Sequence, residues 1–205
     1  MVTAVPSPWN SANIVTMVRI LLVPVFAWAL LVDGGGSVTW RLVATGIFVL
    51  AAVSDRLDGY LARRYDLVTD LGKLLDPIAD KLLVGTALVL LAWIGELPWW
   101  VPVVILVREL GITFMRLAVL KYAVMPASRG GKLKTVLQAV AITLFLLPLA
   151  HLPAWIGVVA WVVLGAAIVV TVVTGVEYAV QGWRLRRDAL RALRVEERRG
   201  GTPVP

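Results

Sequence analysis

The sequence predicts an all-α, polytopic membrane protein with six transmembrane helices, and three observations predict it. The 205 residues are 60% hydrophobic, with a mean hydropathy of +0.86, too apolar for a water-soluble domain of this length. Apolar runs of roughly 20 residues recur, each long enough to cross the hydrocarbon core of a bilayer as a helix. The basic residues gather in alternate connections, as they do in a chain threaded back and forth through a membrane.

The first apolar run covers 14–32. Met1 to Asn13 holds no Lys or Arg, so it lacks the positive start of a cleavable signal, and the run is read as a retained first helix. Asp33-Gly34-Gly35-Gly36-Ser37 breaks the chain before a second span at 40–62. The third span covers 73–94, and Glu96-Leu97-Pro98 separates it from a fourth at 99–120. Ser128-Arg129-Gly130-Gly131 leads into a fifth at 134–150, and His151-Leu152-Pro153 into a sixth at 154–180. His151 reads as a solvated residue of a short turn.

No internal repeat divides the chain. Residues 1–182 are expected to form one six-helix membrane domain, and 183–205 a basic tail. The first part of the tail is expected to lie as a helix on the membrane surface, and 200–205 to be disordered. With no cysteine, disulfides and thiolate metal sites are excluded. The formal charge is +7. Its carriers flank the spans, so anionic membrane lipids are a simpler partner than nucleic acid.

Orientation follows from the same residues. The connections after the second and fourth spans hold Arg63, Arg64, Lys73, Lys121, Arg129, Lys132 and Lys134. The tail adds Arg184, Arg186, Arg187, Arg191, Arg194, Arg198 and Arg199, whereas the opposite face has only Arg41. Both termini are therefore expected on the cytoplasmic side of the cell membrane. The aromatics agree: Trp40, Trp93, Trp99, Trp100 and Trp155 fall near the outer interface, and Tyr60, Tyr65, Tyr122 and Trp183 near the inner one.

The chemistry concentrates in the 26 residues from Asp55 to Asp80. Asp55, Asp58 and Ala62 share one helical face, and so do Gly72, Asp76 and Asp80. A short link makes the two helices antiparallel neighbours, so the two faces can meet. An Asp at the centre of a spanning helix costs about 2.5–3.5 kcal/mol. Four carboxylates together also repel, unless something positive sits between them. Two divalent cations cancel that charge, and all-oxygen ligation suits Mg²⁺ or Mn²⁺. Gly59 and Gly72 are locally unfavourable in helices but let a ligand approach the backbone. Ala62 keeps the wall low, and Arg63 offers paired hydrogen bonds to a phosphate. Pro77 is expected in the first turns of its helix, where a missing N–H matters least. A competing account uses ion pairs between these aspartates and Arg56, Arg63, Arg64 or Lys81. It explains pairs, but not the two glycines or the one-faced spacing.

The pattern D-x2-D-G-x2-A-R-x8-G-x3-D-x3-D is matched at every defined position. It resembles the motif of the CDP-alcohol phosphotransferases, a family of six-helix membrane enzymes. Asn13-Ile14-Val15-Thr16-Met17-Val18-Arg19, Arg108-Glu109 with Thr113 and Arg116, and Gly131-Lys132-Leu133-Lys134-Thr135 with Gln138 resemble the branch whose acceptor is sn-glycerol 3-phosphate. The likeness runs from about residue 13 to 150. It implies that Asp55, Asp58, Asp76 and Asp80 hold two metal ions, with Asp80 also the general base. It implies that Gly59, Ala62, Arg63 and Gly72 line the CDP group of CDP-diacylglycerol, and that the enzyme is a homodimer. Asn13 and Thr16, with Arg19, are expected at the cytidine; capping of the first helix is the other use of Asn13. The acceptor is an anion, so Arg108, Arg116, Lys132 and Lys134 are its expected phosphate ligands. A salt bridge to Glu109 or to an aspartate of the cluster is the alternative use of Arg108. The alternative acceptors are phosphatidylglycerol and an inositol phosphate. A rival of another class is an ion-coupled transporter, in which Asp and Arg within spans carry ions.

Overall fold

The computed structural model describes the backbone of residues 11–64, 70–119 and 129–198, and the side chains of 13–54, 75–115, 130–185 and 187. Six α-helices result: α1 (Ser11–Leu31), α2 (Val38–Arg64), α3 (Asp70–Trp93), α4 (Trp100–Val119), α5 (Arg129–Leu146) and α6 (Ala154–Arg198). Among the described residues there is no strand. Asn13–Gly35 and Ala154–Leu185 are each long and apolar enough to cross a membrane, and Val38–Ser54 is a shorter apolar stretch.

The turns at 33–37, 96–98 and 151–153 fall where the sequence puts them, whereas Arg129, Gly130 and Gly131, expected in a break, already belong to α5. Several helix ends also differ for physical reasons. Gly35 sits at φ 82 in the turn after α1. A Cβ there would meet Ile94 Cδ1 at 3.1 Å, so backbone and packing both call for glycine. α5 stops at Leu146 rather than 150. Pro148 restrains Leu147 away from the helical region. α3 begins at Asp70, which leaves Pro77 inside the helix rather than in its first turns. Its ring removes the hydrogen bond that would reach the Lys73 carbonyl. α6 does not stop at the apolar limit near residue 180 but continues unbroken through Arg198. The first part of the tail is helical, as expected, and is continuous with α6. No proline interrupts residues 154–198, and a change to polar composition does not by itself end a helix.

The helices pack as two triplets. α1 lies against α2 and α3, and α6 lies against α4 and α5. Within each triplet, small residues without exposed surface let the backbones approach: Ala29, Ala44 and Ala87 in the first, Ala141, Ala160 and Ala167 in the second. Phe26, Phe48, Leu88, Leu91, Ile105 and Phe145 fill the common core. Large apolar side chains such as Leu21, Leu50, Val107, Phe114, Val162 and Val169 face outward. That exterior suits a hydrocarbon solvent. The triplets meet where α2 touches α5 and where α3 touches α4 and α5. This looser seam positions the site.

Candidate active site

Asn13, Thr16 and Arg19 recur at every third position of α1, and each is about 2% exposed. Three-residue spacing points them to one side of the helix, toward the start of α3. There Thr16 Oγ1 donates to Asp76 Oδ1 at 2.7 Å. One turn further along α3, Asp80 is half-buried and lies on the wall of a cavity. Of the residues expected at the site, Thr16 and Asp76 thus meet where α1 packs on α3, with Asp80 one turn further along α3 and Asn13 buried one turn back along α1.

Asp55, Asp58, Gly59, Ala62 and Arg63 occupy the last three turns of α2, and Gly72 the first turn of α3. Their surroundings, and the meeting of four carboxylates, lie outside the described side chains. Among the described residues no three His, Cys, Asp or Glu side chains gather at one point.

The cavity occupies the seam between the triplets, with a volume of about 630 Å³. α2, α3, α4 and α5 wall it, with Arg19 added from α1. Most of the wall is apolar, including Phe48, Val49, Leu82, Leu106, Val140 and Leu144. The charged part consists of Arg19, Lys81 and Lys134 against Asp80 and Glu109, three positive groups to two negative. A net positive charge beside apolar walls suits an anion that carries hydrocarbon. Gln138, one turn from Lys134, buries its Nε2 with no hydrogen-bond partner among the described residues. Such an unmet donor costs about 1–3 kcal/mol.

Arg108 and Glu109 are consecutive on α4, so their side chains leave the helix about 100° apart. Arg108 turns away from the cavity to α6. Its Nε donates to the Thr171 carbonyl at 3.1 Å, and its Nη2 to Thr174 Oγ1 at 2.8 Å. Gly175 lets it lie flat, since a Cβ at that position would meet Arg108 Cγ at 3.1 Å. Glu109 turns to the cavity. Its Oε1 accepts from Arg108 Nη1 at 3.0 Å and also from Lys134 Nζ on α5. One carboxylate thus joins α4 to α5 and, through Arg108, to α6. Glu109 lies nine residues into α4, about 14 Å from its Trp100 end.

The four residues expected at the acceptor phosphate therefore separate. Lys134 is buried and fronts the cavity. Lys132 is exposed and off the cavity wall. Arg108 is committed to Glu109 and α6, the alternative use foreseen for it. The Arg116 side chain lies outside the described residues. Sequence reading named Lys81 only as an ion-pair partner for the aspartates; Lys81 fronts the cavity and donates to Thr113 Oγ1 across to α4. The same reading missed Glu109 as the partner of Lys134. A Glu and a Lys each set within an apolar helix were the available signal.

A model of the CDP-alcohol phosphatidyltransferase family matches residues 9–173. A Mycobacterium tuberculosis protein described as a probable phosphatidylglycerophosphate synthase is 54% identical over 175 residues, covering 85% of this chain and 82% of the relative. A Bacillus subtilis CDP-diacylglycerol–glycerol-3-phosphate 3-phosphatidyltransferase is 36% identical over 195 residues, covering 85% of this chain and 96% of that one. A Streptomyces coelicolor cardiolipin synthase (CMP-forming) is 44% identical over 100 residues, 47% of this chain and 45% of the relative.

Proposed function

The chain belongs to the CDP-alcohol phosphatidyltransferase family, and we propose that it transfers the phosphatidyl group of CDP-diacylglycerol to sn-glycerol 3-phosphate. The products are phosphatidylglycerophosphate and CMP, a step of phospholipid biosynthesis. Relatives named for this reaction match along 85% of the chain. The observation that carries the reading is that Asp80 and Lys134 front one cavity. One supplies a base for a hydroxyl, the other a cation for a phosphate.

In this mechanism Asp80 takes the proton of the acceptor's primary hydroxyl. The oxygen attacks the phosphorus that bears diacylglycerol, and a new P–O bond forms. The bond from that phosphorus to the bridging pyrophosphate oxygen breaks, and CMP leaves with the electron pair. Lys134 holds the acceptor phosphate. Asn13, Thr16, Gly59, Ala62, Arg63 and Gly72 line the CDP group. The apolar walls exclude water, so hydrolysis does not compete.

The four aspartates present only oxygen donors, which suit hard divalent cations. Asp76 and Asp80, one turn apart with Asp80 on the cavity wall, fit as half of such a set. Two Mg²⁺ or Mn²⁺ ions held by Asp55, Asp58, Asp76 and Asp80 would supply neutralisation of the pyrophosphate charge.

The six helices span the cell membrane with both termini and the Asp motif cytoplasmic, as the basic residues predict. The tail meets anionic lipid, and the enzyme works as a homodimer.

An acceptor panel tests the function. Purified protein with CDP-diacylglycerol and Mg²⁺ should release CMP with sn-glycerol 3-phosphate, and not with serine or an inositol phosphate. Chelation with EDTA should stop release, and Mg²⁺ should restore it. CMP release with phosphatidylglycerol alone would replace the acceptor and make the chain a cardiolipin synthase, the reading that the partial Streptomyces match favours.

A further inference from the structure

We propose that Glu109 is a displaceable counter-ion that sets how tightly the acceptor phosphate is held. The inference rests on the acceptor reading above and names a part of that site which the motif does not assign.

The Lys134 side chain is 8% exposed, and an ammonium so far from water needs a counter-charge before any substrate arrives. Glu109 Oε1 supplies it. The same oxygen also accepts from Arg108 Nη1 at 3.0 Å. The two cations are not equally free to leave. Arg108 is pinned to α6 by the Thr171 carbonyl and Thr174 Oγ1, and it rests on Gly175. Lys134 has a flexible four-carbon stem and faces the cavity.

An incoming phosphate therefore exchanges with the carboxylate. Lys134 Nζ gives up Glu109 and takes a phosphate oxygen, while Arg108 keeps Glu109 in place as a paired ion. Glu109 and the phosphate compete for one ammonium. The product retains the same phosphate monoester, so Glu109 also helps Lys134 release it. The carboxylate lowers acceptor affinity and speeds departure of the product.

The test is a double-mutant cycle on the purified full chain, reading the acceptor KM, kcat and the competitive inhibition constant of inorganic phosphate. Glu109→Gln should lower the acceptor KM and the phosphate inhibition constant about tenfold, equivalent to about 1.4 kcal/mol, with no rise in kcat. The same change in a Lys134→Gln background should move neither constant. Glu109→Asp keeps the charge but draws it back from Lys134. It should give a smaller shift in the same direction, and it carries the test if Glu109→Gln does not fold. Either constant rising or staying unchanged in Glu109→Gln would overturn the proposal, because a carboxylate that only positions Lys134 would weaken binding when removed. So would a shift that persists in full without Lys134. If Lys134→Gln alone leaves both constants at the wild-type level, the phosphate binds elsewhere and the acceptor site falls as well. If Lys134→Gln raises them but Glu109→Gln does not lower them, only the counter-ion falls.

Discussion

Arg41 and Lys134 are both buried cations paired to a glutamate, one toward each end of the helical bundle, and they are built differently. Arg41 sits at the start of α2 with every donor group assigned. Its Nη1 meets Glu96 in the turn after α3. Its Nε and Nη2 donate to the carbonyls of Leu146 and Phe145 at 3.2 and 2.8 Å, closing the end of α5. Those carbonyls are the unpaired acceptors of a helix C-terminus, so the arginine caps α5 from another helix. Lys134 has one carboxylate, shared with Arg108, and an open cavity in front of it. A cation bound by fixed backbone has nothing to exchange. A cation bound by a shared side chain beside a cavity has a partner it can leave. Burial and pairing are common to the two cations; what differs is the fixity of their partners.

Substitutions at the two ends of the bundle should have distinct effects. The largest effect is expected from Asp80→Asn, which should cut CMP release about a thousandfold while CDP-diacylglycerol still binds. Full turnover by that variant would remove the base from the cavity end. Next comes Arg41→Gln, which leaves Glu96 and two carbonyls without their cation. Loss of one partner of a buried pair costs about 3 kcal/mol, read as a lower melting temperature with both KM values unchanged in the folded fraction. A shifted acceptor KM would show that the two ends are coupled. Lys134→Ala should raise the acceptor KM about 30-fold, as expected for a charge-assisted hydrogen bond of about 2 kcal/mol, and leave the KM for CDP-diacylglycerol alone. The smallest effect belongs to Gly175→Ala. Its new Cβ meets Arg108 Cγ at 3.1 Å, so Arg108 must shift, at about 1 kcal/mol. Thermal unfolding should fall by about 3 °C.

Much of this was legible in the chain. The apolar runs and the Gly- and Pro-containing breaks gave six helices and their turns, because hydrophobic length and breaker residues act locally. The register of Asp76 and Asp80 on α3 followed from helical spacing alone. Thr16 reaches Asp76 across 60 residues, and only the motif brought those two segments under one heading. What stayed hidden depends on which helix faces which. Arg108 and Glu109 are neighbours in sequence, yet one serves α6 and the other the cavity. That division depends on how α4 is rotated, which periodicity leaves open in a helix apolar on most sides. Thr171 and Thr174 look like ordinary polar points in an apolar span until Arg108 arrives from α4. The length of α6 was underestimated because hydropathy marks where lipid ends and not where helical hydrogen bonding ends.

The cap on α5 also has a consequence for how the protein is made. Arg41 leaves the ribosome long before the carbonyl of Leu146, 105 residues later in the chain. At about 5–20 residues per second, the interval is about 5–20 s. For that time Glu96, 55 residues after Arg41, is the one partner of the guanidinium already made, and the Arg41 Nε and Nη2 wait for the end of α5. A nascent chain halted before residue 145 can join the start of α2 to the turn after α3 through Glu96, but cannot tie either to α5.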